Sequence, residues 1–314
     1  MWKANEPETL QNSPLSVLLH RAWLERKKNF ESEIHISSCQ PLLTEMALAG
    51  TKLQQFTVVT ADGKGSAANC TACCQTGNSD TQTVNSAAAL RAVGERLNPG
   101  QCSGLIAITY ENSKCHLSGY SETLNYLNSI HCRVSIITNN LDFVEHVLPL
   151  NGGLSNLTIV VSAKLMFNGN GSQANEDLES LMARLKAICQ QAKNVSFVFV
   201  ISGECERELD LLMALSQLDY CHLTLLDNSS GSKPVNGEQL EQCAKLVAIA
   251  RILNPKRKLI FAGTNNAPSM ASLLEQYALN AGVNEIARPS EEAISLLKDL
   301  GLDLKVKERC CLVH

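Results

Sequence analysis

Between Phe56 and Ala287, short apolar or β-branched runs alternate with longer segments of helical period, and this alternation constrains the fold more than any single residue does. Eight runs predict strands: Phe56–Thr60, Gly104–Thr109, Arg133–Thr138, Leu157–Ser162, Ser196–Ser202, His222–Asp227, Lys258–Ala262 and Glu285–Ala287. Helical patterns separate or follow them at Val84–Leu97, Glu122–Ser129, Asp142–Leu148, Asn175–Ala192, Arg207–Gln217, Gly237–Leu253, Met270–Ala281 and Ser290–Leu300. Near-continuous apolar runs suit strands buried on both faces, as in a parallel sheet. An eight-fold βα repeat within about 250 residues predicts an α/β fold of the (βα)8 TIM-like barrel type rather than a doubly wound open sheet.

Ahead of this repeat, Leu15 to Phe30 has the period of an amphipathic helix. Leu18, Leu19, Ala22 and Trp23 fall on one side, and Arg21, Glu25, Arg26 and Lys27 mostly on the other. From Glu33 to Gln55 no clean period shows. The expected division is an N-terminal helical extension over 1–55 and a barrel with a C-terminal tail over 56–314.

A formal net charge of −4 gives no electrostatic footprint for nucleic acid or an anionic membrane surface, so neither is an expected partner. Met1 is followed by charged and polar residues, and no apolar run approaches the roughly 20 residues that span a bilayer. Thirteen scattered cysteines suit reduced thiols rather than a disulfide framework. The expected location is cytoplasmic. Cys311-Leu312-Val313-His314 has the outline of a prenylation box, but His is not a usual last residue.

In a barrel, chemistry sits on the loops after the C-terminal ends of the strands. The loop after Phe56–Thr60 holds Cys70-x-x-Cys73, a metal-site spacing, with Cys74 beside it and Ser66 four residues before Cys70. Later loops carry Tyr110-Glu111-Asn112-Ser113, Ala163-Lys164, Gly203-Glu204-Cys205-Glu206, Asp227-Asn228-Ser229-Ser230-Gly231 and Gly263-Thr264-Asn265-Asn266. Glu204 and Glu206 read as a solvated acidic pair, and Cys115-His116 lacks a second pair at metal-ligand spacing. Cys221 and His222, at the start of a buried strand, read as a core thiol and a satisfied histidine. No nucleophile elbow, Walker loop or dinucleotide fingerprint follows a strand.

A barrel whose first strand feeds a cysteine loop of this kind resembles the radical S-adenosylmethionine superfamily. The ends of the chain resemble its biotin-synthase-related branch, which includes two-component lipoyl synthases. The similar stretches are Trp2 to Leu10, His20-Arg21-Ala22-Trp23 with Lys28-Asn29-Phe30, and Ala281-Gly282-Val283-Asn284-Glu285-Ile286-Ala287-Arg288-Pro289-Ser290-Glu291-Glu292. Leu300-Gly301-Leu302 and Cys310-Cys311 fit the same pattern. The resemblance implies a [4Fe–4S] cluster held by three loop cysteines, with S-adenosylmethionine on the fourth iron. Reductive cleavage of that cofactor to a deoxyadenosyl radical would follow.

Carried over by position, Cys70 and Cys73 match the second and third ligands, while Ser66 stands where the first would be. A serine alkoxide is a harder and more basic donor than a thiolate and suits iron poorly near neutral pH. Tyr110, Glu111 and Asn112 occupy the place of a glycine-rich turn that would meet the cofactor's methionyl amine, and Thr264-Asn265 stand where relatives tend to carry a cysteine. Cys39, Cys74, Cys310 and Cys311 remain candidates for a displaced third thiolate. Three altered positions favour a non-catalytic partner subunit in a sulfur-insertion or cofactor (lipoyl- or biotin-like) pathway, pairing with a cluster-bearing homologue. The alternative is an active radical enzyme whose cluster rests on Cys70, Cys73 and a displaced ligand.

Overall fold

The computed structural model describes residues 6–37, 55–59, 83–84, 104–109, 134–138, 141–150, 154–163, 177–192, 194–203, 207–227, 237–263, 268–287 and 289–307. The strands are β1 (Glu33–Ser37), β2 (Gln55–Val59), β3 (Thr83–Val84), β4 (Gly104–Thr109), β5 (Val134–Thr138), β6 (Leu154–Ser162), β7 (Val195–Ile201), β8 (His222–Asp227), β9 (Lys258–Ala262), β10 (Glu285–Ala287) and β11 (Asp303–Lys307). The helices are α1 (Glu6–Asn12), α2 (Leu15–Asn29), α3 (Leu141–Val147), α4 (Leu178–Gln191), α5 (Arg207–Leu215), α6 (Gly237–Leu253), α7 (Pro268–Asn280) and α8 (Glu291–Asp299). All eight expected strands are present within a few residues of their expected ends, and the fold is α/β.

The chain divides into two units. The first gathers the described parts of Met1–Ser37, Phe199–Gln217 and His222–Lys307; the second holds those of Ser38–Val198, Leu218–Cys221 and Glu308–His314. In the first unit the strands run in the order β11, β1, β10, β9, β8, every neighbour parallel. Parallel neighbours need crossovers, and α6, α7 and α8 follow β8, β9 and β10 in turn. Because both faces of these strands are covered, β9 and β10 bury almost every side chain, including Leu259, Ile260, Phe261 and Ile286. Helix α6 is buried nearly all round from Cys243 to Leu253, which a helix can be only when it is packed on several sides.

In the second unit the order is β6, β5, β4, β2, β3. Strands β4, β5 and β6 are parallel, but β2 runs antiparallel to β4, with Val59 opposite Gly104. This corrects the expectation that Phe56–Thr60 opens a parallel series. The strand in parallel register with β10 is instead β1, from the segment without a clean period. Ile34 and Ile36 are buried there while Glu33 and His35 are half-buried, an alternation only five residues long.

A second correction concerns α2. Leu18, Ala22 and Arg26 recur at intervals of four and share the buried face, so Arg26 is inside, while Val17 and Leu24 are exposed. Arg26 Nη1 and Nη2 donate to the carbonyls of Glu31 and Glu33, at 3.0 and 2.8 Å, and so fix the turn from α2 into β1. Gly282, at φ 80°, passes directly beneath this arginine: a Cβ there would stand 2.6 Å from Arg26 Cβ. Only glycine combines the left-handed backbone with that approach.

Gly282→Ala is expected to lower the melting temperature by at least about 2 °C, because strain and overlap add. Gly237→Ala, where a Cβ meets nothing within 4 Å, is expected to be neutral or stabilising. Paired thermal melts check both.

Candidate functional site

Parallel strands place their C-terminal ends together, and in the first unit this rim carries buried acids. Asp227 closes β8 and Gly263 follows β9; since Leu226 pairs with Ala262, the two positions lie side by side. Glu275, from α7, reaches the same place, its Oε1 standing 3.5 Å from where a Cβ on Gly263 would be. Its Oε2 accepts from the Ser290 amide at 2.8 Å. Ser290 also caps α8, its Oγ accepting from Ala293 N at 3.2 Å. Glu292 Oε2 accepts from Ser272 Oγ at 3.3 Å.

Burial is the main reason that the Glu275 carboxyl lies above its usual range; the neighbouring charges of Glu292 and Asp227 push the same way, against the Ser290 hydrogen bonds. After β7, Glu208 closes the turn into α5. Its Oε1 accepts from Ser202 N and Oγ, both at 2.7 Å, and its Oε2 from Gly203 N at 3.0 Å. With three donors seated on it, Glu208 holds a loop. Gln239 Nε2 adds a bond to the Ser202 carbonyl at 2.8 Å.

At the opposite, N-terminal ends of the same strands lies a pocket of about 400 Å³, lined by Asn29, Phe30, Glu31, Glu33, His35, Lys258 and Asn284. Lys258 Nζ pairs with the buried Glu285 at 2.6 Å. Behind the pocket Arg251, wholly buried, donates to the carbonyls of Gly282, Asn254 and Arg257 and to Asn284 Oδ1, and its guanidinium lies 4.8 Å from the Phe30 ring centroid. Burial lowers its pKa to about 9, with the Arg26 charge adding to the effect, so it stays cationic at neutral pH.

Cys39, Ser66, Cys70, Cys73, Cys74, Tyr110, Glu111, Asn112, Cys310 and Cys311 lie outside the described residues, as do Cys115, His116, Lys164, Glu204, Cys205, Glu206, Thr264 and Asn265. Among the described residues no group of three or more His, Cys, Asp or Glu side chains could hold a metal ion. Cys221 is exposed, which corrects its reading as a core thiol; its amide donates to the Val195 carbonyl at 2.7 Å and it stands just before β8. The sequence reading passed over Glu208, Glu275 and Arg251, placed Arg26 on the polar side of its helix and gave Asn284 no role. A signal existed for Arg26 in its four-residue spacing from Ala22, and for Glu208 in its place at the first turn of a helix.

Residues 231–303 match the family described as the Biotin and Thiamin Synthesis associated domain (BATS). In fold the chain is similar to methylornithine synthase, with a TM-score of 0.50 and 11% identity over 98% of this chain and 94% of that one. Weaker likenesses link it to the HMG-CoA lyase of Brucella melitensis (TM-score 0.41, 12% identity, 59% of this chain and 72% of that one). The SuiB protein of Streptococcus suis, solved with its precursor peptide SuiA, is similar at a TM-score of 0.40 and 10% identity, over 88% of this chain and 54% of that one. No curated protein matches by sequence. The fold therefore defines an α/β protein of the barrel type seen in methylornithine synthase. The BATS match covers the C-terminal part of the chain, residues 231–303 of 314. Among the described residues, no helix is long and apolar enough to cross a membrane.

Glu275→Gln is expected to flatten the pH dependence of stability on the acid side. A carboxyl raised by burial is protonated more readily in the folded state. Its stabilising contribution is therefore present below the ordinary value of 4.5 and is lost as pH rises through the higher folded value. Urea unfolding of both proteins across that range tests this, and parallel curves would remove Glu275 from the account.

Proposed function

We propose that the protein is a non-catalytic member of the radical S-adenosylmethionine superfamily, a partner subunit for a cluster-bearing homologue in a sulfur-insertion or lipoyl- or biotin-like cofactor pathway. The observation that carries this reading is the direction of β2. The chain leaves β2 at Val59, opposite Gly104, where β4 begins, and not at the end where the parallel strands finish. For Cys70 to reach the usual mouth, the ten residues between Val59 and Cys70 must double back along β4, about 20 Å. The donor set supports the same conclusion: two thiolates and Ser66 do not fit a cluster that takes three soft anionic ligands.

One observation favours the enzymatic alternative. Strand β1 ends at Ser37, level with Ala287 at the C-terminal end of β10, and Cys39 follows two residues later. A thiolate there, joined by Cys70 and Cys73, would make three donors.

Anaerobic reconstitution with iron and sulfide separates the two readings. The partner role predicts no stable cluster and no cleavage of S-adenosylmethionine to 5′-deoxyadenosine, together with a stoichiometric complex when the chain is co-expressed with a cluster-bearing homologue. About four iron and four sulfide per chain, lost on Cys39→Ala, would instead establish the enzyme.

A further inference from the structure

We propose that the pocket at the N-terminal ends of β1, β9 and β10 binds a small zwitterion of the amino-acid type. This goes beyond the partner-subunit reading and does not depend on it. At about 400 Å³ the cavity falls toward the small end of ligand pockets, which run from roughly 300 to 1,000 Å³.

The most buried residue that lines it is Asn284. Asn284 is 6% exposed, and its Oδ1 receives two N–H donors, Arg251 Nη2 at 2.5 Å and Leu259 N at 2.9 Å. Two donors on one atom fix that atom as the oxygen and turn Nδ2 away from them. Nδ2 makes no hydrogen bond among the described residues, yet it is not sealed from solvent, and Asn284 lines the pocket. A donor that the protein leaves unpaired and that water can still reach is open to an acceptor atom of a ligand.

The charged groups around it differ in burial. Arg251, wholly buried behind Asn284, places positive charge there, while the charge of half-buried Lys258 is met by the buried Glu285 at 2.6 Å. Glu31, exposed, carries a carboxylate with no partner among the described residues, and Glu33 has only a loose pairing with Lys305 at 3.4 Å, so negative charge lies at the outer end. Phe30 supplies an apolar wall. An acceptor oxygen inside, an ammonium outside and an apolar body against the ring describe an α-amino acid with its carboxylate inward.

Asn284→Asp tests this selectively, because it keeps the acceptor used by Arg251 and Leu259 while replacing the donor with a second acceptor. Titration calorimetry with L-leucine and L-phenylalanine on the full chain is expected to show saturable binding below about 10 mM. Asn284→Asp and Glu31→Gln are each expected to weaken it at least about tenfold, the loss of one charge-assisted hydrogen bond. N-acetyl-L-leucine and 3-methylbutylamine, which each lack one charge, should fail to bind. Absence of saturation by both amino acids, or unchanged affinity in the two variants, overturns the proposal. Should circular dichroism show Asn284→Asp unfolded, Glu31→Gln and the two truncated probes decide alone.

Discussion

Two buried guanidiniums hold the first unit together. Neither Arg26 nor Arg251 forms an ion pair among the described residues, and their charges repel each other. Burial of an unpaired cation is costly, and what offsets it here is a set of carbonyl oxygens. Arg26 answers the turn from α2 to β1; Arg251 answers the turn from α6 to β9 and the one from α7 to β10. These are the C-terminal ends of helices and the residues beyond them, where unsatisfied carbonyls and the negative end of the helix dipole gather. Two cations thus serve three αβ turns, and of their guanidinium nitrogens Arg26 Nε has no partner among the described residues. Replacing either by a hydrophobe would fill the space but leave several buried carbonyls without donors.

The strands transmit this arrangement to their other ends. Parallel register puts all the αβ turns below and all the βα turns above, so cations that serve the former collect at the bottom and acids that serve the latter collect at the top. Glu208 receives the backbone amides after β7, and Glu275 receives the Ser290 amide before α8. The charges of Asp227 and Glu292 both act on the Glu275 carboxyl. The rim is acidic, whereas the lower pocket sets Lys258 and Arg251 against Glu31, Glu33 and Glu285.

Much of this was legible beforehand. Apolar runs located every strand from Gly104 to Ala287, and β7, β8, β9 and β10 show why: strands buried on both faces need a nearly unbroken apolar segment. Direction was not legible: Gln55–Val59 has the same β-branched character whether it runs parallel or antiparallel to β4. Strand β1 was missed because Glu33-Ile34-His35-Ile36-Ser37 offers only two apolar residues, and β11 because Asp303-Leu304-Lys305-Val306-Lys307 looks like a charged, solvated tail. Arg26 was read as polar surface by its charge, although its spacing from Leu18 and Ala22 put it on the buried face. A pairwise property, the supply of carbonyls from turns distant in sequence, decided the matter, and no window of sequence contains it. Of the candidate cluster ligands, only the direction in which β2 delivers the chain toward Cys70 and Cys73 became visible.

The stretch from Ala281 to Glu292 is where sequence resemblance and structural role meet. Gly282 lets Arg26 pass, Asn284 Oδ1 receives Arg251 and the start of β9, Ser290 caps α8 while its amide holds Glu275, and Glu292 receives Ser272. Each role is architectural: it orients a turn or a helix end within the segment that matches the BATS family. The positions that the resemblance to the radical family would assign to its cluster and cofactor hold Ser66, Tyr110-Glu111-Asn112 and Thr264-Asn265 in this chain. Loss of the chemistry alone leaves packing requirements in force, since a buried arginine still needs its carbonyls and its glycine. On the partner-subunit reading proposed above, a chain kept for its surface and stability would retain the first set of residues and could depart at the second.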